Sequence, residues 1–136
     1  MTKRTMLKSK IHRARLTETR LDYEGSITLD GDLLKAADML AGEQVHVLNL
    51  ANGSRIVTYV IEAPAGSGTV MLNGPAARMG MAGDEVIVLS YCGIADTDAS
   101  QWRPRVVLVD EQNRPREIAV VGKVGTEKEV EDNATR

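Results

Sequence analysis

An internal echo limits the architectures open to this chain. The segment AGEQVHVLNL (Ala41–Leu50) matches AGDEVIVLSY (Ala82–Tyr91) at five of ten positions: Ala, Gly, Val, Val and Leu. Each copy follows a short stretch of helical character, AADM (36–39) in the first and AARM (76–79) in the second. Repetition of one unit implies two related halves, each a helical turn, a Gly-Glu or Gly-Asp turn and a strand. The rest of the chain breaks into short apolar runs separated by turn signals, which reads as mainly β. Many short strands with pseudo-twofold repetition favour a closed barrel, because closure removes exposed edges.

Thr5 to His12 alternates, with Leu7, Ser9 and Ile11 on one face and Met6, Lys8, Lys10 and His12 on the other, and predicts a strand. LDYEGSITL predicts a loop running into a second strand. Asp30 is the expected N-cap of a helix carrying Leu33, Leu34, Ala37 and Leu40 and ending near Gly42. Residues 44–51 predict a strand, Asn52-Gly53 a two-residue hairpin turn, and SRIVTYVIE the returning strand. Alternation there puts Arg55, Val57, Tyr59 and Ile61 on one face, with Ile56, Thr58 and Val60 on the other. Gly66-Ser67-Gly68 reads as a hairpin tip, TVML as a short strand, and Pro75 as the start of a single helical turn. Further strands are expected at EVIVLSYC, RVVLV and EIAVV. The polar stretch 122–136 has no pattern and reads as a disordered tail outside a single domain at 1–121.

Composition removes several classes of function. One cysteine, Cys92, excludes an internal disulfide, and with only His12 and His46 beside it a structural zinc site lacks ligands. No apolar run approaches the ~20 residues of a membrane span. MTKRTMLKSK leads into no apolar segment, so a secretory signal is not expected and the cytoplasm is the expected location. The absence of Phe, with one Trp and three Tyr, suits a compact barrel filled by small branched side chains. Overall net charge is −2, which argues against nucleic acid as the main partner. The charge is uneven, however: residues 1–25 carry a net of +4 and residues 26–136 a net of −6. The basic arm reads as a strand that supplies cations to a site for an anionic ligand, with nucleic-acid binding as the alternative.

No GxSxG, GxGxxG, GxxxxGK[ST] or HExxH motif is present. An enzyme of this composition must import its electrophile or make one from itself. Four segments, TMLKSKIH, YEGS, NGSRIVTY and NGPAA, in this order and spacing, resemble the pyruvoyl-dependent aspartate 1-decarboxylase family. The resemblance spans about residues 4–121. It implies a mainly β fold, a double-psi β-barrel with short helices, assembled as a homotetramer. It implies decarboxylation of L-aspartate to β-alanine and CO2, through a Schiff base to a pyruvoyl group made from Ser26, in the service of pantothenate synthesis. No metal, no pyridoxal phosphate, no nucleic acid and no membrane are implied. The group arises by self-cleavage of the Gly25-Ser26 bond, leaving a β chain of residues 1–25 and an α chain of residues 26–136.

The residues make chemical sense of that scheme. Ser26 Oγ would attack the Gly25 carbonyl, and a glycine there imposes no Cβ hindrance. Arg55 matches the substrate-binding arginine, and a guanidinium fork suits a carboxylate. Tyr59 matches the proton donor and shares a predicted face with Arg55. Thr58 matches the threonine implicated in self-processing, where a hydroxyl can stabilise an oxyanion, and is expected on the opposite face. Lys10 and His12 match motif positions of the arm, Lys10 as a substrate contact and His12 in support. Tyr23 flanks the cleavage site, and Asn73, Gly74 and Ala76 match the loop lining the pocket. Pro75 departs from the alanine often found in that loop and removes a backbone donor. Leu48 departs from an aromatic residue found there in some members. Two other readings stay open on sequence: a pyruvoyl decarboxylase for another amino acid, and a non-catalytic barrel that binds through its basic arm.

Overall fold

A computed structural model describes residues 2–120 of the chain. The stretch 122–136, expected to be a disordered tail, lies outside the described residues. Strand β1 (Lys3–Arg15) is followed by β2 (Glu18–Arg20), β3 (Ser26–Asp30), helix α1 (Gly31–Ala37), β4 (Gln44–Asn49), β5 (Arg55–Ala63) and β6 (Val70–Asn73). A 3-10 turn (Gly74–Met79) then leads to β7 (Glu85–Ala95), α2 (Asp96–Ala99), β8 (Arg105–Val109) and β9 (Pro115–Val120). The fold is mainly β. Among the described residues no helix is long and apolar enough to cross a membrane.

The echo is visible in the structure. Its two copies become β4 and β7, which pair antiparallel through Val47 opposite Val88. Gly42 and Gly83, the repeated glycines, both take positive φ, 86° and 95°, in the turns that precede these strands. L side chains rarely adopt that conformation, which explains why glycine recurs there.

The strands lie in the order β2-β6-β3-β5-β4-β7-β1-β8-β9. Three neighbouring pairs, β1 with β8, β2 with β6 and β3 with β5, are parallel, and the others are antiparallel. The expected closure is not seen: among the described residues β2 and β9 stand at open ends of the order. β2 is only three residues long, and β9 pairs with β8, which joins β1 over four residues, Ser9 to His12. The sheet nevertheless packs on one main core, beside a small second cluster of Val106 and Leu108. Ile11, Ile27, Leu29, Leu33, Val47, Val60, Leu72 and Val88 all belong to a single buried cluster. Burying each of these side chains contributes about 1.5–3 kcal/mol, and the cluster draws on both halves.

Three local expectations change. The helix ends earlier than Gly42, at Asp38 in the left-handed conformation (φ 54°), whose N–H turns back to Leu34 and Lys35 carbonyls. Leu40 therefore leaves the helix and is 71% exposed. The β4–β5 connection is wider than a two-residue hairpin, because Asn49 N–H pairs with Ser54 O and Gly53 N–H with Asn49 O. Within the Asn52-Gly53 pair, Gly53 takes positive φ and Asn52 does not. Gly66-Ser67-Gly68 is not a hairpin tip, since β5 and β6 lie on either side of β3. The Gly66 and Gly68 N–H groups instead donate to the buried Asp30 carboxylate at 3.0 and 2.7 Å, while Asp30 also caps α1 through Asp32 N at 2.8 Å.

Candidate active site

Every residue of β3 is buried, and Ser26 begins it. Ser26 is fully buried and sits directly opposite Asn73 in the antiparallel pairing of β3 with β6. Its hydroxyl donates to Glu24 O at 2.8 Å and accepts from Asn73 Nδ2 at 3.0 Å. The same amide nitrogen donates to Thr28 Oγ1 at 2.8 Å. Asn73 Oδ1 is buried and has no hydrogen-bond partner among the described residues. An orphaned acceptor at such a place costs free energy unless a ligand or a later state satisfies it.

The loop before Ser26 is held from outside by the segment that follows β6. Gly74 takes φ 62°, and a Cβ there would lie 2.6 Å from Tyr23 O and 2.7 Å from Gly25 N. Only a glycine allows so close an approach of two backbones. The ring of Pro75 comes next: its Cδ lies 3.3 Å from the place a Cβ on Gly25 would occupy. The opening of the 3-10 turn by Pro75 agrees with the sequence, and its cost is the N–H that an alanine would offer.

Thr58 and Tyr59 approach this loop from adjacent positions on β5. Thr58 lines a cavity of about 300 Å³ with Gly25, Ile56, Val57, Pro75, Ala76 and Met79. Tyr59 reaches Glu24 instead. Burial, then a hydrogen bond to the Glu24 carboxylate and its charge, push the Tyr59 hydroxyl above its usual value. From adjacent positions of β5 the two side chains thus meet one loop at two different points, Gly25 and Glu24.

The remaining expected residues stand apart. Arg55 on β5 bonds His46 Nδ1 on the neighbouring β4 at 3.0 Å, and His46 meets Tyr91 edge-on with ring centroids 5.0 Å apart. Lys10 and His12 lie on β1, separated from β3 by β5, β4 and β7 in the sheet order. Burial lowers the Lys10 ammonium from its usual value. Burial, with the positive charges of Lys10 and Arg13, lowers His12 to about 4, against a weaker opposing effect of Glu85. Neither ring nitrogen of His12 has a hydrogen-bond partner among the described residues. One chain therefore gathers Ser26, Gly25, Tyr23, Thr58, Tyr59, Asn73, Gly74 and Ala76, and leaves Arg55, Lys10 and His12 elsewhere.

A family model described as aspartate decarboxylase matches residues 1–116. The chain belongs to the aspartate decarboxylase family. The aspartate 1-decarboxylase of Dehalococcoides mccartyi is 59% identical over 109 residues, covering 80% of this chain and 88% of the relative. That of Syntrophobacter fumaroxidans is 55% identical over 112 residues, covering 82% and 90%. That of Acaryochloris marina is 52% identical over 123 residues, covering 90% and 94%.

For a member of the aspartate decarboxylase family, two residues of this neighbourhood were not singled out in the sequence. Thr28 had a signal, since Ser26 and Thr28 must share a strand face. Glu24 had none beyond its place beside the glycine. Among the described residues no three His, Cys, Asp or Glu side chains come together in a metal-binding arrangement.

Proposed function

We propose that this chain converts L-aspartate to β-alanine and CO2 for pantothenate synthesis, using a pyruvoyl group made from its own Ser26. The observation that carries the reading is the buried Ser26 hydroxyl, 2.8 Å from Glu24 O and 3.0 Å from Asn73 Nδ2, at the start of a strand in a member of this family. The surroundings fit a group formed here: the position is closed to solvent, a carboxamide donor faces it and, among the described residues, the Asn73 acceptor beside it has no partner. Such a group supplies a ketone that withdraws electron density from an amine-bearing carbon as its carboxylate is lost.

The chain's own residues supply the rest. Ser26 Oγ attacks the Gly25 carbonyl, the bond between Gly25 C and Ser26 N breaks, and the hydroxyl proton ends on the nitrogen. Gly74 and Pro75 hold the loop during that rearrangement, and the Thr58 hydroxyl, in the cavity with Gly25, stabilises the charge that develops. Cleavage leaves a β chain of residues 1–25 and an α chain of residues 26–136, together one domain over 1–121. Asn73, Gly74 and Ala76 then line the substrate pocket. Tyr59 delivers the proton to the α-carbon after CO2 departs.

Arg55 and Lys10 act on the substrate carboxylate from another copy of the chain, with His12 in support. Assembly as a homotetramer accounts for the distance of Lys10 and His12 in sheet order from Ser26, and for Arg55 turning to His46 rather than to Ser26. It also accounts for the exposure of Val57 (53%) and Leu50 (49%) near Arg55, apolar surface that a second copy would cover. The double-psi barrel is our reading of the three parallel pairings interleaved with antiparallel ones around one main core.

A substrate panel tests the activity. Purified protein supplied with L-aspartate, L-glutamate or other amino acids should release CO2 from L-aspartate in strong preference, with β-alanine as product. Preference for another amino acid would keep the chemistry and overturn the substrate.

A further inference from the structure

Thr28 lies two residues beyond Ser26 on β3, on the same strand face, and is 6% exposed. Its hydroxyl accepts from Asn73 Nδ2 at 2.8 Å, while the contact from the same nitrogen to Ser26 Oγ is 3.0 Å. The hydrogen-bond count fixes how this carboxamide lies. Ser26 has one hydroxyl proton and gives it to Glu24 O, so toward Asn73 it can only accept. Both N–H groups of Asn73 are thereby committed to the two hydroxyls.

We infer that Thr28 is a positioning residue of the mature site, holding the Asn73 carboxamide once the Ser26 hydroxyl is gone. The inference rests on the self-cleavage reading above. In that reading the Gly25–Ser26 amide and one water yield a Gly25 carboxylate, ammonia and the ketone. The bond between Ser26 Cβ and Oγ breaks, and Oγ leaves as part of the carboxylate. Asn73 then loses one of its two acceptors. Thr28 is the one that survives, and it keeps the carboxamide from turning. One N–H of Asn73 is left free where Oγ stood, a donor suited to a carboxylate of the substrate. Without the Thr28 hydroxyl, nothing in this network would hold that N–H on the ligand, and the amide would rotate to satisfy itself.

Two substitutions separate this role from packing. Thr28→Val keeps the β-branched shape and deletes the hydroxyl, whereas Thr28→Ser keeps the hydroxyl and deletes the methyl group. The assembled proteins are followed by intact mass for cleavage. The mature forms are then titrated calorimetrically with succinate, a dicarboxylate that has no amine to react, and assayed with L-aspartate. Both variants should cleave as the wild type does, because Ser26 still anchors Asn73 before cleavage. Thr28→Val should raise the succinate Kd and the aspartate KM about tenfold, the scale of one buried hydrogen bond, with kcat changed by no more than about twofold. Thr28→Ser should restore both constants.

An unchanged succinate Kd in cleaved Thr28→Val overturns the inference. So does a Thr28→Val chain that stays uncleaved, which would make Thr28 a processing or folding residue. A Thr28→Ser protein as weak as Thr28→Val assigns the effect to packing and overturns it too. A wild type that remains one uncleaved chain removes the cleavage reading itself, and the inference with it.

Discussion

Asn73 and Ser26 face each other across the antiparallel β3–β6 pair, and the carboxamide of one donates to the hydroxyl of the other at 3.0 Å. Through this contact the strand pairing sets the position of the hydroxyl that attacks the preceding carbonyl in the proposed self-cleavage. Ser26→Ala removes the attacking atom in a site filled by a side chain of similar size. The variant should fold, remain a single chain and release no CO2 from aspartate. Two fragments from Ser26→Ala would place the cleavage chemistry at another residue.

Thr58 and Tyr59 are neighbours in sequence with different contacts, so their losses should differ in kind. Thr58→Val should accumulate uncleaved chain. Tyr59→Phe should mature and bind substrate but turn over slowly, by a factor of about 10²–10⁴ for a missing general acid. Intact mass with single-turnover CO2 release distinguishes them. Full maturation of Thr58→Val with blocked cleavage in Tyr59→Phe would exchange the two roles.

Arg55 lies outside the Ser26 cluster within one chain, so Arg55→Ala should cleave normally. Its aspartate affinity should fall roughly ten- to a hundredfold, the scale of a lost charge-assisted hydrogen bond. Unaltered steady-state kinetics would remove Arg55 from substrate binding.

Gly74 and Gly83 both take positive φ, yet only Gly74 is pressed against the loop at Tyr23 and Gly25. Gly83→Ala meets nothing within 4 Å and should cost about 1 kcal/mol of stability, with normal cleavage. Gly74→Ala must displace the Tyr23–Gly25 backbone and should abolish cleavage. Equal maturation of the two variants would detach the loop geometry from processing.

His12 is lowered to about 4 in the folded chain, from an ordinary value near 6.5. Below pH 6.5 the unfolded chain therefore binds a proton that the folded chain does not, and stability falls as the pH drops from 6.5 toward 4. Urea unfolding of the uncleaved Ser26→Ala protein across this range, with and without His12→Gln, measures it. The His12→Gln protein should lose less stability on acidification. Parallel curves would mean that His12 is not held neutral.

Much of this was legible in the residues. The echo located β4 and β7 and the reason for Gly42 and Gly83, because periodicity and turn chemistry are local properties. Four short segments carried the family. The early end of α1 at Asp38 was not legible, since a left-handed aspartate leaves no mark as clear as glycine. The open ends at β2 and β9 were not legible either, because the echo favours closure while the pairing at the edges depends on which strands meet there. The convergence of Thr58 and Tyr59 on one loop depends on how the 23–26 segment is held by Gly74 and Pro75. Thr28 was within reach of simple alternation, but a threonine in a strand is ordinary until its partner is known.

Intact mass of the purified wild-type protein tests the central claim most directly. The account predicts two chains, residues 1–25 and residues 26–136, the larger one lighter by one ammonia than a fragment beginning with serine. A single chain of full mass, in protein that still releases CO2 from L-aspartate, would contradict it.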